Sequence, residues 1–494
     1  MQLDPINCYR ALQAHDARFD GVFFIAVTTT GIYCRPICPA RVPGADRCVF
    51  FRHAAEAERA GFRACFRCRP ELAPGGVNAE PASVDAVATL VRAAAARIEA
   101  GYLNDASVDV LAAELGVTSR HLRRSMEAKL GVTPIELAQT KRLALAKHLL
   151  QETNLPLAEV AFAAGFASVR RFNALFQSRF ARAPSDVRRN HGAPDPAHGA
   201  DAITLRLDYR PPFEWSSMLS FLAGRAIPGV ERVVDGEYRR TVTLGERSGW
   251  VAVRADPKRN ALRATISLSL VPALTTVVAR LRSLFDLDAH PMVIAEHLGK
   301  DKVLARSIAS LPGLRVPGSF DGFEMSVRAI LGQQVSVAAA TTLSGRVAQR
   351  FGTPSPAGSP EATAGIGWRF PSASRLADAT VDQIATIGMP GARAQTIRAL
   401  SRALADGDLK LTPEASPDVA IEQLVTLPGI GPWTAHYIAL RAIRWPNAFP
   451  AGDLGVRKAL GVSTAKAAEE RSARWQPWRA YAVVHLWTSL STGG

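Results

Sequence analysis

Four of the six cysteines in this 494-residue chain have the spacing of a metal site. Cys34 and Cys38 are separated by three residues and Cys65 and Cys68 by two, with 26 residues between the pairs. Each pair places two sulfurs on one tight turn, and the intervening chain must fold back to bring the pairs together. Four thiolates so arranged are the donor set of a single tetrahedral Zn2+. Such a site is either a purely structural zinc knuckle or a reactive one, because clustered thiolates stay nucleophilic at neutral pH. Cys8 and Cys48 fall outside the spacing and read as ordinary buried thiols. A disulfide scaffold would not confine its cysteines to the first seventh of a long chain, so a reducing, cytoplasmic setting is expected.

A second group lies near the other end. In LPGIGPWTAHYIALR, residues 427–441, Gly429 and Gly431 allow a tight turn. The helix that follows can present its N-terminal N–H groups to one phosphate. A lone hairpin of this kind is a nonspecific DNA-binding device. Further on, Asp453 in FPAGDLGVRKAL precedes a helix. As an N-cap it would contribute about 1 kcal/mol; as a carboxylate beside a reacting centre it could stabilise developing positive charge.

The net charge of +15 favours a polyanionic partner, and 48% apolar residues fit folded globular protein. The length implies several domains. The first residues lack a secretory pattern and no apolar window is long enough to span a membrane, so no membrane association is expected.

Several elements must position these groups. Residues 1–78 are Cys- and Arg-rich with short β-like runs such as Val22–Thr28, and the Pro/Gly-rich ELAPGGVNAEP closes them. Residues 83–190 have helical periodicity. They contain two versions of one motif: SVDVLAAELGVTSRHLRRSMEAKLGVTP turns at Gly116, and LAEVAFAAGFASVRRFNALFQSRFARAPSDVRR turns at Gly165. Each reads as a helix-turn-helix, with Ser119 or its neighbour and Ser168 as caps. Leu111, Leu115, Leu122, Phe172 and Phe176 are expected in the core. Ser119, Arg120, Arg123, Ser168, Arg170 and Arg171 are the candidate DNA contacts, each more often a phosphate contact than a base reader.

Residues 191–201 read as a flexible linker that lets the two halves move independently. In 202–300, strands are expected at Ile203–Tyr209, Val230–Asp235, Tyr238–Leu244, Trp250–Ala255 and Ala261–Leu270, with helices near Ser216–Gly224 and Ala273–Phe285. Residues 301–494 read helical, broken by a surface loop at FGTPSPAGSPEATAGIG. The fold class is therefore multidomain and mostly α with α+β parts. An N-terminal zinc-binding α+β domain is followed by an all-α double helix-turn-helix domain, an α+β subdomain and an all-α helix-hairpin-helix domain.

The stretches TTGIYCRPICPAR and AGFRACFRCRP closely resemble the zinc domain of the Ada adaptive-response regulators. That resemblance implies that Cys34 is both a zinc ligand and the irreversible acceptor of a methyl group from a DNA methylphosphotriester. Arg35, Arg41, Arg47, Arg67 and Arg69 surround the cluster, and Arg35 and Arg67 are the candidate backbone contacts. The tail GFASVRRFNALFQSRFARAPSDVRR resembles AraC-type DNA-binding domains, which carry two helix-turn-helix units on a linking helix, here about Pro134–Leu150.

Most of residues 201–494 resembles 3-methyladenine DNA glycosylase II (AlkA), a helix-hairpin-helix glycosylase. YRPPFEWSSMLSFLAGRA, LPGLRVPGSFDGFEMSVRAILGQQVSVAAA, IGMPGARAQTIRAL and RWQPWRAYAVVHLW carry the likeness. It implies Asp453 as the catalytic carboxylate, Tyr437, Trp487 and Trp433 as the base pocket with contributions from Trp215 and Phe221, and a monovalent cation at the hairpin. Two departures stand out. Lyase-type relatives have Lys where this chain has Trp433, so strand cleavage is not expected; AlkA has a Leu wedge where this chain has Gln334. No cysteine follows Cys68, so the alkylguanine transferase of Ada proteins is not expected. The expected partners are damaged and promoter DNA, with RNA polymerase a further one, for a monomer associated with the nucleoid. Alternatively, the chain is a transcriptional regulator whose C-terminal half only binds DNA.

Overall fold

The structure, a computed structural model, describes residues 3–75, 86–189, 201–413 and 415–491. The expected linker, apart from Asp201, and the end of the first Pro/Gly-rich stretch lie outside the described residues. The chain forms two compact units: one comprises 1–211, 256–279 and 287–290, the other 212–255, 280–286 and 291–494.

In the first unit, the β-like runs of the N-terminus become a four-stranded sheet. Strand Phe24–Val27 pairs antiparallel with both Ile32–Cys34 and Cys48–Phe51, and Ile32–Cys34 pairs in parallel with the short strand Arg63–Ala64. The parallel register sets Tyr33 opposite Ala64, so Cys34 and Cys65 are the next residues along neighbouring strands. Cys8, Phe23 and Ile25 pack on one another in the core of this domain.

Both helix-turn-helix motifs form. Val108–Glu114 turns into Ser119–Leu130, and Leu157–Ala163 into Val169–Phe180. Gly116 and Gly165 have φ of +71° and +85°, the left-handed backbone that L side chains resist. Thr118 rather than Ser119 caps the first recognition helix, its Oγ1 accepting from the His121 N–H, while Ser168 caps the second. Leu111, Leu122, Phe172 and Phe176 are fully buried. The linking helix spans Pro134–Glu152 and opens with a capping box of Thr133 and Glu136.

Glu58 holds this unit together. Its buried carboxylate accepts from the Tyr33 hydroxyl (3.0 Å), the Thr140 hydroxyl (2.5 Å) and Arg179 Nη1 (2.7 Å), so one side chain joins the sheet, the linking helix and the second recognition helix. Lys147 acts similarly, its buried ammonium donating to the Cys65 carbonyl (3.0 Å) and Glu71 (2.8 Å).

The strands expected after the linker form at Ala202–Asp208, Glu231–Val234, Glu237–Leu244, Arg247–Ala255 and Ala261–Ser267. Ala202–Asp208 pairs antiparallel with Ala261–Ser267 within the first unit. In the second unit, Glu237–Leu244 pairs with both of its neighbours in sequence. The remainder is helical. The stretch expected as a bare surface loop instead contains a two-stranded pairing of Thr353–Pro354 with Trp368–Arg369 and a helical turn at Pro360–Thr363. Ser359 caps that turn and Pro360 opens it, a local start signal that the Gly/Pro content masked.

Removing a buried charge that satisfies three donors leaves Arg179 uncompensated, which costs about 3–5 kcal/mol. Glu58→Ala is therefore expected to lower the unfolding free energy of the first unit, read from urea denaturation, by that much, whereas the exposed-site control Glu159→Ala leaves it nearly unchanged.

Candidate metal centre and candidate active site

The sulfurs of Cys34, Cys38, Cys65 and Cys68 all lie within 4.8 Å of one another. The parallel strand pair brings Cys34 beside Cys65, and each partner cysteine follows on the next turn. Backbone N–H groups of Arg35 and Arg67 point at Cys68 Sγ and Cys65 Sγ, both at 3.4 Å, which favours thiolate over thiol. Four soft donors in a closed cluster fit one Zn2+, with no oxygen donor to admit a harder ion. Cys38, Cys65 and Cys68 are buried, whereas Cys34 is partly exposed. The cluster thus offers one sulfur to a large substrate.

Arg35 is corrected as a phosphate contact. It is 2% exposed, and its guanidinium is spent on Asp20 and on Asp208 (2.8 Å). Arg69 is likewise committed, to Glu71 (3.1 Å) and Glu152. Alternating runs of arginines beside cysteines do not reveal which of them face inward. Arg67 remains exposed, as do Arg120, Arg123, Ser168, Arg170 and Arg171; Ser119 is half-buried.

Asp208 lies on the first strand beyond the expected linker, and Glu152 also accepts the Arg206 N–H of that strand at 2.9 Å. Arg35 is therefore tied by charge to Ala202–Asp208, and Arg69 reaches the same strand through Glu152. The expectation that everything beyond the linker moves independently does not hold for this strand.

The second site forms around Asp453. The carboxylate caps the helix Leu454–Leu460, Oδ1 accepting from the Val456 N–H at 2.9 Å. The same Oδ1 accepts from Trp487 Nε1 at 3.0 Å, and Oδ2 from Trp433 Nε1 at 3.1 Å. The two readings of Asp453, cap and functional carboxylate, are thus compatible: the cap fixes the side chain and the indoles orient it. Trp433 stacks on Tyr437 at 5.6 Å and 13°, Tyr437 meets Trp487 at 6.1 Å, and Phe221 stacks on Trp487 at 6.3 Å and 21°. Four of the five expected pocket aromatics therefore surround one carboxylate.

Trp215 is the exception and is corrected. Its ring packs on Phe285 (5.3 Å) and Phe213 (5.8 Å), and its indole N–H is taken by the Gly236 carbonyl. Six residues along one helix put Trp215 and Phe221 on different faces, so both could not serve the pocket.

The hairpin turn is built as expected at Gly429, with φ +81° and a Cβ position only 2.1 Å from Thr396 Oγ1. Gly431 differs: its backbone is extended and a Cβ there would meet nothing, so no steric or conformational demand fixes it. It caps Pro432–Ile438 without a side chain, leaving the N–H groups open to a phosphate. Gln334 is exposed with φ +55°, the tip of a turn between two helices. Gln333 fastens that turn to the hairpin through the Gly429 carbonyl and Thr434 Oγ1, both at 2.9 Å, and Arg393 holds the Gln333 carbonyl at 2.7 Å. Neither clamp was foreseen, since both depend on tertiary contacts over long sequence separations.

Three unforeseen arginines also reach this site. Arg441 donates to the Tyr437 hydroxyl at 3.1 Å. Burial opposes ionisation of that phenol, but the charges of Arg441, Arg225 and Arg328 outweigh it and hold it below its ordinary value.

Comparison with known proteins follows the same division. The metal binding domain of Ada matches residues 7–71, a helix-turn-helix domain 111–190, the AlkA N-terminal domain 204–321, and the HhH-GPD superfamily of base excision DNA repair proteins 327–478. A probable bifunctional transcriptional activator/DNA repair enzyme AlkA of Mycobacterium tuberculosis is 42% identical over 99% of this chain and 97% of its own length. DNA-3-methyladenine glycosylase 2 of Escherichia coli is 39% identical over 57% of this chain and 95% of its own. Among solved structures, a 3-methyladenine DNA-glycosylase of Archaeoglobus fulgidus covers 57% of this chain and 97% of its own at 23% identity with a TM-score of 0.50, a likeness of fold.

Two outcomes test these sites. The purified chain is expected to carry one equivalent of zinc by atomic absorption, lost in Cys65→Ala. Gly429→Ala is expected to cost about 1–3 kcal/mol in chemical denaturation, because alanine must adopt the left-handed backbone. The chain belongs to the family of bifunctional transcriptional activator/DNA repair enzymes of the AlkA type, which join an Ada metal-binding domain and a helix-turn-helix domain to a helix-hairpin-helix glycosylase fold.

Proposed function

We propose that this chain senses and repairs alkylated DNA by two chemistries: hydrolysis of the N-glycosidic bond of alkylated bases such as 3-methyladenine at Asp453, and methyl transfer from DNA methylphosphotriesters to Cys34. The observation that carries the first is the convergence of two indole N–H donors and a helix cap on one carboxylate inside an aromatic pocket.

In the glycosylase reaction the nucleotide is extruded from the duplex, with Gln334 filling the gap and the hairpin N–H groups gripping a phosphate. The C1′–N bond breaks and its electron pair leaves with the base. Asp453 stabilises the oxocarbenium ion at C1′, and a water adds there and gives up a proton. Trp433 occupies the place of a Schiff-base lysine, so the enzyme is monofunctional and leaves an abasic site.

In the transfer reaction Cys34 Sγ attacks the methyl carbon of the triester. A C–S bond forms while the C–O bond breaks, and the phosphate oxygen keeps the electron pair as a diester anion. Zinc, when bound by the four cysteines, keeps the sulfur anionic at neutral pH. The partial exposure of Cys34 alone among the four supports it as the acceptor. Methylation removes one negative charge near DNA and strengthens binding, which would let repair switch on transcription through the two recognition helices. The chain is read as a monomer that recruits RNA polymerase at promoters.

Release of free 3-methyladenine from methylated duplex DNA is the deciding assay. Asp453→Asn is expected to reduce it by at least a hundredfold, about the loss seen when a transition-state charge partner is removed. No release by the folded, zinc-loaded parent would leave the C-terminal half as a DNA-binding appendage. Cys34→Ala is expected to abolish uptake of labelled methyl from methylphosphotriester DNA while leaving base release intact.

A further inference from the structure

Beside the thiol cluster lies a cavity of about 280 Å3 that neither proposed reaction uses. One wall is the cluster's own and carries Arg67 and Cys68. The facing wall comes from beyond the expected linker: Arg206 and Asp208 on the strand Ala202–Asp208, and Arg259 just before the strand Ala261–Ser267. All of these residues belong to the first compact unit.

Buried bonds join the two walls. Arg35 spans them, donating to Asp20 at 2.7 Å and to Asp208 at 2.8 Å. Arg210, 1% exposed, donates its Nε to the Asp20 carbonyl at 2.7 Å. The strand register sets Asp208 opposite Ala261, and the Tyr209 N–H donates to the Asn260 carbonyl at 3.0 Å, which brings Arg259 to the rim. The cavity is therefore a built feature of the fold.

Its lining is positive. Two carboxylates are present and both are engaged, Asp20 with Arg35, and Asp208 with Arg35 and with Arg206 Nε at 2.8 Å. The two amino groups of Arg206 form no hydrogen bond among the described residues, and the exposed Arg67 and Arg259 form no ion pair there. Four guanidiniums against two carboxylates leave two positive charges in excess. The thiolate charge lies deeper, since Cys68 is buried, so an entering anion meets the guanidiniums first.

Guanidinium forks match a phosphate group, which takes paired N–H···O bonds from each. The cavity is also below the range of about 300–1,000 Å3 usual for organic ligands. DNA brings such a group to this place. The sulfurs of Cys68 and Cys34 lie within 4.8 Å of each other, and one DNA strand carries a phosphate about every 3.4 Å of helix axis. A triester at Cys34 therefore has a neighbouring phosphate within reach of the cavity.

We propose that Arg206 and Arg259, together with Arg67, clamp the DNA phosphate next to the methylphosphotriester, so that the sheet beyond the linker completes the DNA-binding face of the thiol cluster. No bond is made or broken at the clamp. It orients the strand so that the triester methyl faces Cys34 Sγ.

This inference rests on the methyl-acceptor reading of Cys34, and the test separates the two. Full-length, zinc-loaded protein is mixed with duplex DNA carrying labelled methylphosphotriesters, and the second-order rate constant of label uptake is measured over a range of salt. Arg259→Gln removes one exposed charge and breaks no ion pair. It is expected to slow uptake about tenfold at low salt, the worth of one charge-assisted hydrogen bond. The slope of log rate against log salt is expected to fall by about one, as loss of one phosphate contact requires. Arg259→Lys, which keeps the charge, is expected to retain the slope and most of the rate. Lys258→Gln, which removes the neighbouring exposed charge outside the cavity, is expected to stay near the parent in both.

Equal losses in Lys258→Gln and Arg259→Gln would reduce the effect to net charge and overturn the inference. So would a parent-like rate and slope in Arg259→Gln, which leaves the methyl-acceptor reading standing. Loss of 3-methyladenine release in Arg259→Gln with methyl uptake intact would assign the residue to the glycosylase and overturn the clamp as well. No uptake by the parent would overturn the methyl-acceptor reading and this inference together.

Discussion

The half with the glycosylase fold is organised around a carboxylate held by neutral donors. Asp453 accepts from two indoles and one peptide N–H, and no guanidinium or ammonium forms an ion pair with it among the described residues. This choice of partner matters. An ion pair would fix the side chain equally well but cancel the charge that the proposed reaction would set against the sugar cation. Indole N–H groups orient the carboxylate without cancelling its charge. The geometry then dictates the surroundings. Trp433 must stand on the hairpin helix and Trp487 on the C-terminal helix Arg479–Ser491, so those two elements are fixed relative to the helix Asp453 caps. Gly455 completes the arrangement, since a Cβ there would lie 3.1 Å from Asp453 Oδ1 and 3.3 Å from the Trp487 ring.

The thiol cluster solves a different problem with similar economy. Four sulfurs must meet, yet one must remain reachable. The parallel pairing of Ile32–Cys34 with Arg63–Ala64 brings Cys34 and Cys65 together from distant sequence, and the tight turns after each strand deliver Cys38 and Cys68. The residue after Cys34 and the residue after Cys68 are both arginines locked into buried ion pairs, one to Asp20 and Asp208, the other to Glu71 and Glu152. These clamps hold the backbone on either side of the sulfurs, so the cluster is braced from outside as well as by its own turns.

What could be read in advance follows from how local each signal is. The two cysteine pairs, the Gly116 and Gly165 turns, the Gly429 hairpin and the strands from Ala202 to Ser267 are written in short windows of sequence, and all took shape. The bland and functional readings of Asp453 could not be separated from sequence because a cap is local while the indole bonds come from residues 20 and 34 positions away. Trp215 was grouped with Phe221 because both lie in one motif, and only the helix phase parts them. The sequence around Arg35 does not reveal that it is buried, because its partner Asp208 is 173 residues distant. The arginines around Tyr437 are illegible in the sequence for the same reason: Arg225, Arg328 and Arg441 are far apart in the chain and meet only in the fold.

The two chemistries also differ in what their surroundings must do with charge. The proposed methyl transfer would end at a sulfur that loses its negative charge and keeps its new carbon, a role that asks for rigidity and a single open face but no means of resetting. Base excision must turn over, so its pocket has to release both a sugar and a base. Neutral donors on Asp453 leave its charge intact, as a carboxylate in the proposed turnover would require. Arg225 lies over Phe221, Phe221 stacks on Trp487 and Trp487 donates to Asp453, and no ion pair joins Arg225 to Asp453 among the described residues. The aromatic stack is therefore a spacer as well as a wall, and it leaves the Asp453 carboxylate to its neutral donors.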